Sequence, residues 1–413
     1  MSSPNRPKIV VLGSMCLLPV PGVVYQVLHY LLGVEALGFE AYYVEDHGLW
    51  VKHPDGKVDE LGQPKVPVAQ AMKEFGFADR WICRAGHASG PVVFGGFPPE
   101  RLRGLYAEAV ALINVTGTHL IDEEMAECDT RVYLETDPGI PQIRLFHSDP
   151  RQVQLIAGHT HHRTFGELVP TGRSALPQVP VGYAATRQPV VLDLWAHPRP
   201  PGRALTTVAG WMRPKSKDIE YAGRTYHWDK RRAFEPLLDL PRRTGADIRI
   251  ALARAGAEDI AALRHHGWQV DDAGRYASLA GYRDFIGGSR GEITATKDQY
   301  VSLRTGWFSD RSACYLAAGR PVITQETGFS SVLPAGEGLL AFDSADDAVA
   351  CVEALAADYP RHAAAARQIA HEYFDARRVL TDLLHGCEVE VPDPLSGRAG
   401  RTAANRSRRT GSW

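Results

Sequence analysis

The sequence predicts an α/β protein made of two parallel-sheet domains. Three observations carry that expectation. Short β-branched runs alternate with helical runs in the order that builds strand–helix–strand units. The chain has 413 residues, a length that suits two cores. A proline-dense stretch from Thr171 to Pro201 separates two such series and places the junction near residue 186.

The first series opens with Lys8–Leu12, a β-rich run closed by Gly13-Ser14. A helical pattern over Tyr25–Leu37 ends at Gly38, and Ala41–Val44 is the next strand, closed by Glu45-Asp46-His47-Gly48. Such a unit implies parallel strands and a right-handed crossover. Helices over Val68–Phe75 and Pro99–Ala107, then strands at Ala109–Val115 and Arg131–Leu134, continue the pattern. The second series has strands at Ala204–Val208, Asp247–Leu252, Trp268–Val270 and Val322–Thr324, with a helix at Glu258–His265. Three helices close it: Ser344–Leu355, Pro360–Tyr373 and Arg377–Leu384. Residues 1–185 form one domain and 186–372 the other on this basis. Residues 373–388 add a terminal helix, and 389–413 an Arg-rich tail with the composition of a disordered segment.

Composition excludes several classes of function. The net charge of −2 gives no global basic field, so no nucleic-acid partner is expected. No apolar run approaches the roughly 18 residues of a membrane span. The N-terminus lacks the form of a secretion signal. The six cysteines are scattered without metal-ligand spacing, which suits reduced thiols in a cytoplasmic protein. His159-Thr160-His161-His162 has no nearby ligand set to complete a metal geometry, and no Asp-x-Asp motif occurs, so no metal is expected. The loop Gly13–Gly22 lacks the glycine fingerprint of dinucleotide sites, so no cofactor is expected.

The richest chemistry lies in Gly306–Leu340. Ser309-Asp310-Arg311-Ser312 opens one helix, and Thr327-Gly328-Phe329-Ser330-Ser331 forms a second small turn. Backbone amides at such turns bind phosphate, and Arg311 adds a cation. Upstream, Phe285–Val301 reads as a glycine-rich loop in which Lys297 and Glu292 set charge beside the turn. In the first series, His119 and Asp137 follow central strands and suit acid–base work.

The run Ala318-Gly319-Arg320-Pro321-Val322-Ile323, with Thr327-Gly328, Gly336-Glu337-Gly338-Leu339-Leu340 and Asp347-Ala348-Val349, resembles the donor half of nucleotide-sugar glycosyltransferases of the GT-B fold. The set from Ser289 through Lys297 to Ser312 is similar to that of a group of bacterial glycosyltransferase-like proteins. The resemblance implies two Rossmann-like domains facing a central cleft and metal-independent transfer from a UDP-, TDP- or GDP-type sugar to a small-molecule acceptor. It implies a donor diphosphate on Lys297, Arg311, Ser309, Asp310, Thr327, Gly328, Ser330 and Ser331, with Glu292 and Trp211 behind them. Gly13, Ser14, Pro21 and Gly22 would line the acceptor side, with Asp137 and His119 as catalytic groups. The terminal helix would cross back to the first domain. One departure stands out: Cys314 occupies the place of a ribose-binding glutamate. A nucleotide-sugar epimerase and a non-catalytic binding protein remain as alternatives, and the chain is expected as a monomer or homodimer.

Overall fold

The computed structural model describes residues 6–46, 66–87, 90–196, 200–211 and 218–392. The expectations for His47 and for the tail beyond Pro392 lie outside the described residues.

The first sheet comprises β1 (Lys8–Leu12), β2 (Glu40–Glu45), β3 (Trp81–His87), β4 (Gly90–Gly95), β5 (Ala109–Val115), β6 (Arg131–Glu135), β7 (His161–Thr164) and β8 (Tyr183–Ala185). Its order is β4-β3-β2-β1-β5-β6-β7-β8, and every pairing except β3–β4 is parallel. Ile9 to Leu12 are buried without alternation, as a strand covered on both faces requires.

The second sheet comprises β9 (Leu205–Gly210), β12 (Ile248–Ala253), β13 (Gln269–Asp272), β14 (Gly291–Thr294), β15 (Val322–Gln325) and β16 (Leu339–Phe342). The hairpin β10 (Ile219–Tyr221) and β11 (Arg224–Tyr226) stands apart from it. The sheet order is β13-β12-β9-β14-β15-β16, all parallel. Strand order therefore reverses at β1/β5 in one sheet and at β9/β14 in the other. A crevice opens beyond the carboxyl ends of the strands at each reversal.

Several elements differ from the sequence expectation. Gly291–Thr294 is not part of a loop: it is a four-residue central strand with Glu292 fully buried. A charged residue inside so short a run hides the strand from any pattern of apolar spacing. The histidine run is split, with His161 and His162 in β7. Within the proline-dense stretch, Tyr183–Ala185 pairs with β7. Helices Ile140–Phe146 and Pro150–Ala157 are additional. The expected helix to Tyr373 ends at Ile369 in a π turn, Ala370–Phe374, before Asp375 caps the next helix.

The two halves share one continuous core. Val24, Tyr25 and Leu28 of the first helix pack in the same cluster as Phe308, Cys314, Tyr315 and Leu380. Helix Ala376–His385 lies across helix Pro21–Ala36 at Gly33, where an added Cβ would come within 2.3 Å of Leu380 and 3.2 Å of Ala376. Val190 ties the same region down by accepting from Ala376 N and donating to Phe374 O.

Gly338 has φ +74°, and an added Cβ would meet the Ala366 backbone nitrogen at 2.4 Å; Gly336 has φ +112° but open space around it. We expect Gly338→Ala to lose about 3 kcal/mol by urea denaturation, from left-handed strain plus overpacking. Gly336→Ala, with strain alone, loses about 1 kcal/mol.

Candidate active site

The cleft residues come from the carboxyl ends of both sheets. On the first side, Asp137 follows β6 directly. Its Oδ1 accepts from Lys297 Nζ at 3.0 Å and from the Tyr300 hydroxyl, so one carboxylate joins the halves. Burial and the charge of Asp137 hold the Tyr300 phenol well above its ordinary range, so it remains a donor. Trp307 stacks on Tyr300 with centroids 4.2 Å apart and donates from Nε1 to Thr136 O at 2.8 Å. Lys297 Nζ also sits 3.5 Å above the centre of the Trp228 ring, a cation–π contact.

On the second side, the helix Asp310–Ala317 runs between β14 and β15. Glu292 in β14 accepts from Arg311 Nε at 2.5 Å and from Ser312 Oγ at 2.6 Å. Arg311 also donates to Val208 O at 2.6 Å and to Thr294 Oγ1 at 3.0 Å. Three of the five guanidinium donor positions are thereby oriented by the protein. Glu292 orients Arg311, not Lys297, whose carboxylate partner is Asp137. Lys230, just beyond the hairpin, donates to Ala295 O at 3.2 Å. Burial, then the charges of Arg311 and Lys297, push its ammonium well below the usual lysine range. Lys230 escapes a sequence reading because it lies on a hairpin excursion between β9 and β12, more than 60 residues from Lys297.

The other expected site residues are placed as follows. Ser309 precedes the helix in extended geometry and makes no side-chain cap. Asp310 is half-buried, with Oδ1 3.3 Å from Gln26 Nε2 of the first helix. Desolvation pushes its carboxyl up to about 7, and the charge of Asp137 adds to the effect. Thr327 Oγ1 donates to Trp307 O at 2.6 Å, and Ser331 Oγ to Gly328 O at 2.8 Å. The amides of Gly328 and Ser330 point to the buried carboxylate of Glu326, so an internal anion sits where a phosphate was expected. Trp211 is buried at the end of β9 and packs on Phe234.

His119 is fully buried. Its Nε2 accepts from Asp46 N at 2.8 Å and Nδ1 lies 2.8 Å from Thr118 Oγ1, so the ring joins the end of β2 to the loop after β5. Gly13 packs on Val27 and Tyr43, and Ser14 is buried. Pro21 and Gly22 open the first helix, with the Gly22 Cα side 3.7 Å from the Tyr282 hydroxyl once a Cβ is added. Cys314 is buried under the first helix, its Sγ 3.9 Å from His29 Nε2, so the first domain covers that position.

The Glu292–Arg311 pair is buried, and removing one partner of such a pair costs about 3–5 kcal/mol. Glu292→Leu should therefore unfold at markedly lower urea than wild type. Asp310 gives a test by pH. Its folded pKa lies above the unfolded value, so ionising it opposes folding as pH rises from about 4 to 7. Asp310→Asn should melt above wild type at pH 8 and lose that advantage below pH 4.

No family model matches this sequence, and no curated protein matches it. Solved structures do match. HepE of Anabaena, in complex with UDP and glucose, is similar with a TM-score of 0.55 at 10% identity, over 92% of this chain and 99% of that one. An alpha-glucosyltransferase in complex with UDP-glucose and DNA containing an abasic site gives a TM-score of 0.56 at 9% identity, over the same shares. The same kind of enzyme in complex with UDP gives 0.53 at 9% identity, again over 92% and 99%. Among the described residues no helix is long and apolar enough to cross a membrane. Two parallel-sheet α/β domains matched along nearly their whole length give this chain the GT-B fold.

Proposed function

We propose that this chain transfers a glycosyl group from a nucleoside-diphosphate sugar to a hydroxyl or similar nucleophile on a small-molecule acceptor. One observation carries the reading. Three cations gather at the carboxyl end of β14: Arg311 donates to Thr294 Oγ1, Lys230 donates to Ala295 O, and Lys297 follows in the chain. Burial first, and then the charges of Arg311 and Lys297, depress the Lys230 ammonium, and an anion lodged among the three would offset their repulsion. The UDP and UDP-glucose in the similar structures support a nucleoside diphosphate as that anion.

In this reading the second domain holds the donor and the first holds the acceptor. Arg311 is fixed in advance by Glu292, Val208 and Thr294, so it stabilises the leaving diphosphate with little reorganisation. Lys297 begins paired with Asp137. A bound diphosphate competes for that ammonium, and the carboxylate it gives up becomes the base for the acceptor. The bond from the anomeric carbon to the diphosphate oxygen breaks, a bond to the acceptor oxygen forms, and the acceptor proton passes to Asp137. Asp310 donates to the diphosphate only while protonated, and Tyr300 keeps Asp137 aimed. His119 acts through the strand ends it joins. With Glu326 occupying the Gly328 and Ser330 amides, side-chain cations carry most of the diphosphate's charge.

A thermal-shift panel of UDP, TDP, GDP and ADP tests donor binding, with at least one expected to raise the melting temperature. Lys297→Ala and Arg311→Ala should each weaken that nucleotide about 10-fold or more, the worth of a charge-assisted hydrogen bond. Asp137→Asn should keep nucleotide affinity and lower turnover about 100-fold or more, the usual effect of losing a general base. No shift with any nucleotide, together with unchanged melting of both cation variants in its presence, would sink the proposal.

A further inference from the structure

Three side chains that the proposed transfer does not use meet beneath the loop after β1. Cys16 lies in that loop, Glu45 ends β2, and Cys83 lies in β3. These strands are neighbours in the order β3-β2-β1, so their carboxyl ends converge. The two Sγ atoms and a Glu45 oxygen all lie within 4.8 Å of one another. Glu45 and Cys83 are wholly buried and Cys16 nearly so.

We propose that Cys16, Glu45 and Cys83 bind one thiophilic divalent cation of the zinc type. Two thiolates and a carboxylate are a donor set that soft, tetrahedral ions select over magnesium or calcium. In tetrahedral zinc geometry such ligand atoms lie about 3.5–3.8 Å apart, so the present spacing needs only a small contraction. Glu45 is already aimed. Its oxygens accept from Cys16 N and Leu17 N, each at 2.7 Å, and from the Tyr43 hydroxyl. A carboxylate oxygen has two lone pairs, and hydrogen bonds of this kind orient metal ligands.

On binding, two S–H bonds give way to two metal–sulfur bonds, and two protons leave for solvent. The bound ion would pin the Gly13–Val20 loop to β2 and β3. The site stands apart from the transferase reading, and neither depends on the other.

The test is a titration of the reduced full-length protein with Co²⁺ under anaerobic conditions, followed by Zn²⁺. One equivalent of Co²⁺ should produce sulfur-to-metal charge-transfer absorption in the near ultraviolet, and one of Zn²⁺ should abolish it. About two protons should be released per ion. Cys16→Ser and Cys83→Ser should each lose the absorption, and Glu45→Gln should weaken binding about 10-fold or more, as losing a metal-ligand bond does. Because a buried Cys→Ser change can unfold the chain, wild type supplies a second readout. Zn²⁺ should slow alkylation of Cys16 and Cys83, mapped by peptide mass, and leave Cys351 unaffected. A folded, reduced protein without the charge-transfer band would overturn the proposal. So would a band retained in either serine variant, or alkylation of Cys16 and Cys83 unchanged by Zn²⁺.

Discussion

A carboxylate buried in the middle of a parallel sheet organises the second half of this protein. Glu292 has no exposure to solvent and sits in β14, beside the reversal of strand order. A charge in that place must be paired and hydrogen-bonded, or it costs several kcal/mol. Arg311 and Ser312 supply what it needs, and both lie in the first turn of one helix. The pairing therefore fixes the helix against the sheet. It also turns a flexible arginine into a rigid one at the mouth of the cleft.

The same helix packs against the first domain. Tyr315 and Cys314 share a core with Tyr25 and Leu28, so the position of the first helix follows from the same element. The cleft that remains is lined by charge. Asp137 reaches over from β6 to Lys297, while Lys230 and Arg311 stand close by. The aromatic rings of Trp228, Tyr300 and Trp307 keep Lys297 and Asp137 from drifting.

Much of the fold was legible in the residues. Ile9–Leu12, Ala111–Val115 and Val322–Thr324 are apolar-rich runs buried on both faces, and their locations follow from local sequence. The unexpected elements share a physical cause. β14 is four residues long and carries a glutamate, β7 is histidine-rich, and β8 has three residues. Each is held by pairing with neighbours distant in sequence, and local propensity has little weight against that. Among site residues, Lys297, Arg311 and Asp137 stood out as charge beside turns. Their partners did not: Asp137 and Lys297 are 160 positions apart.

By itself the sequence determined a doubled parallel α/β architecture and singled out Lys297, Arg311 and Asp137 as charges beside turns. Those follow from apolar runs, turn residues and charge, all local in the chain. Tertiary structure decided which groups meet. It gave Glu292 to Arg311, filled the Gly328 turn with Glu326, enclosed His119 and covered Cys314 with the first helix. It also brought Cys16 and Cys83 together on Glu45 across 67 residues. The physical reason is common to all of them. Parallel strands adjacent in a sheet bring their carboxyl ends together whatever the length of chain between them, and buried polar groups then pair with whatever that convergence supplies.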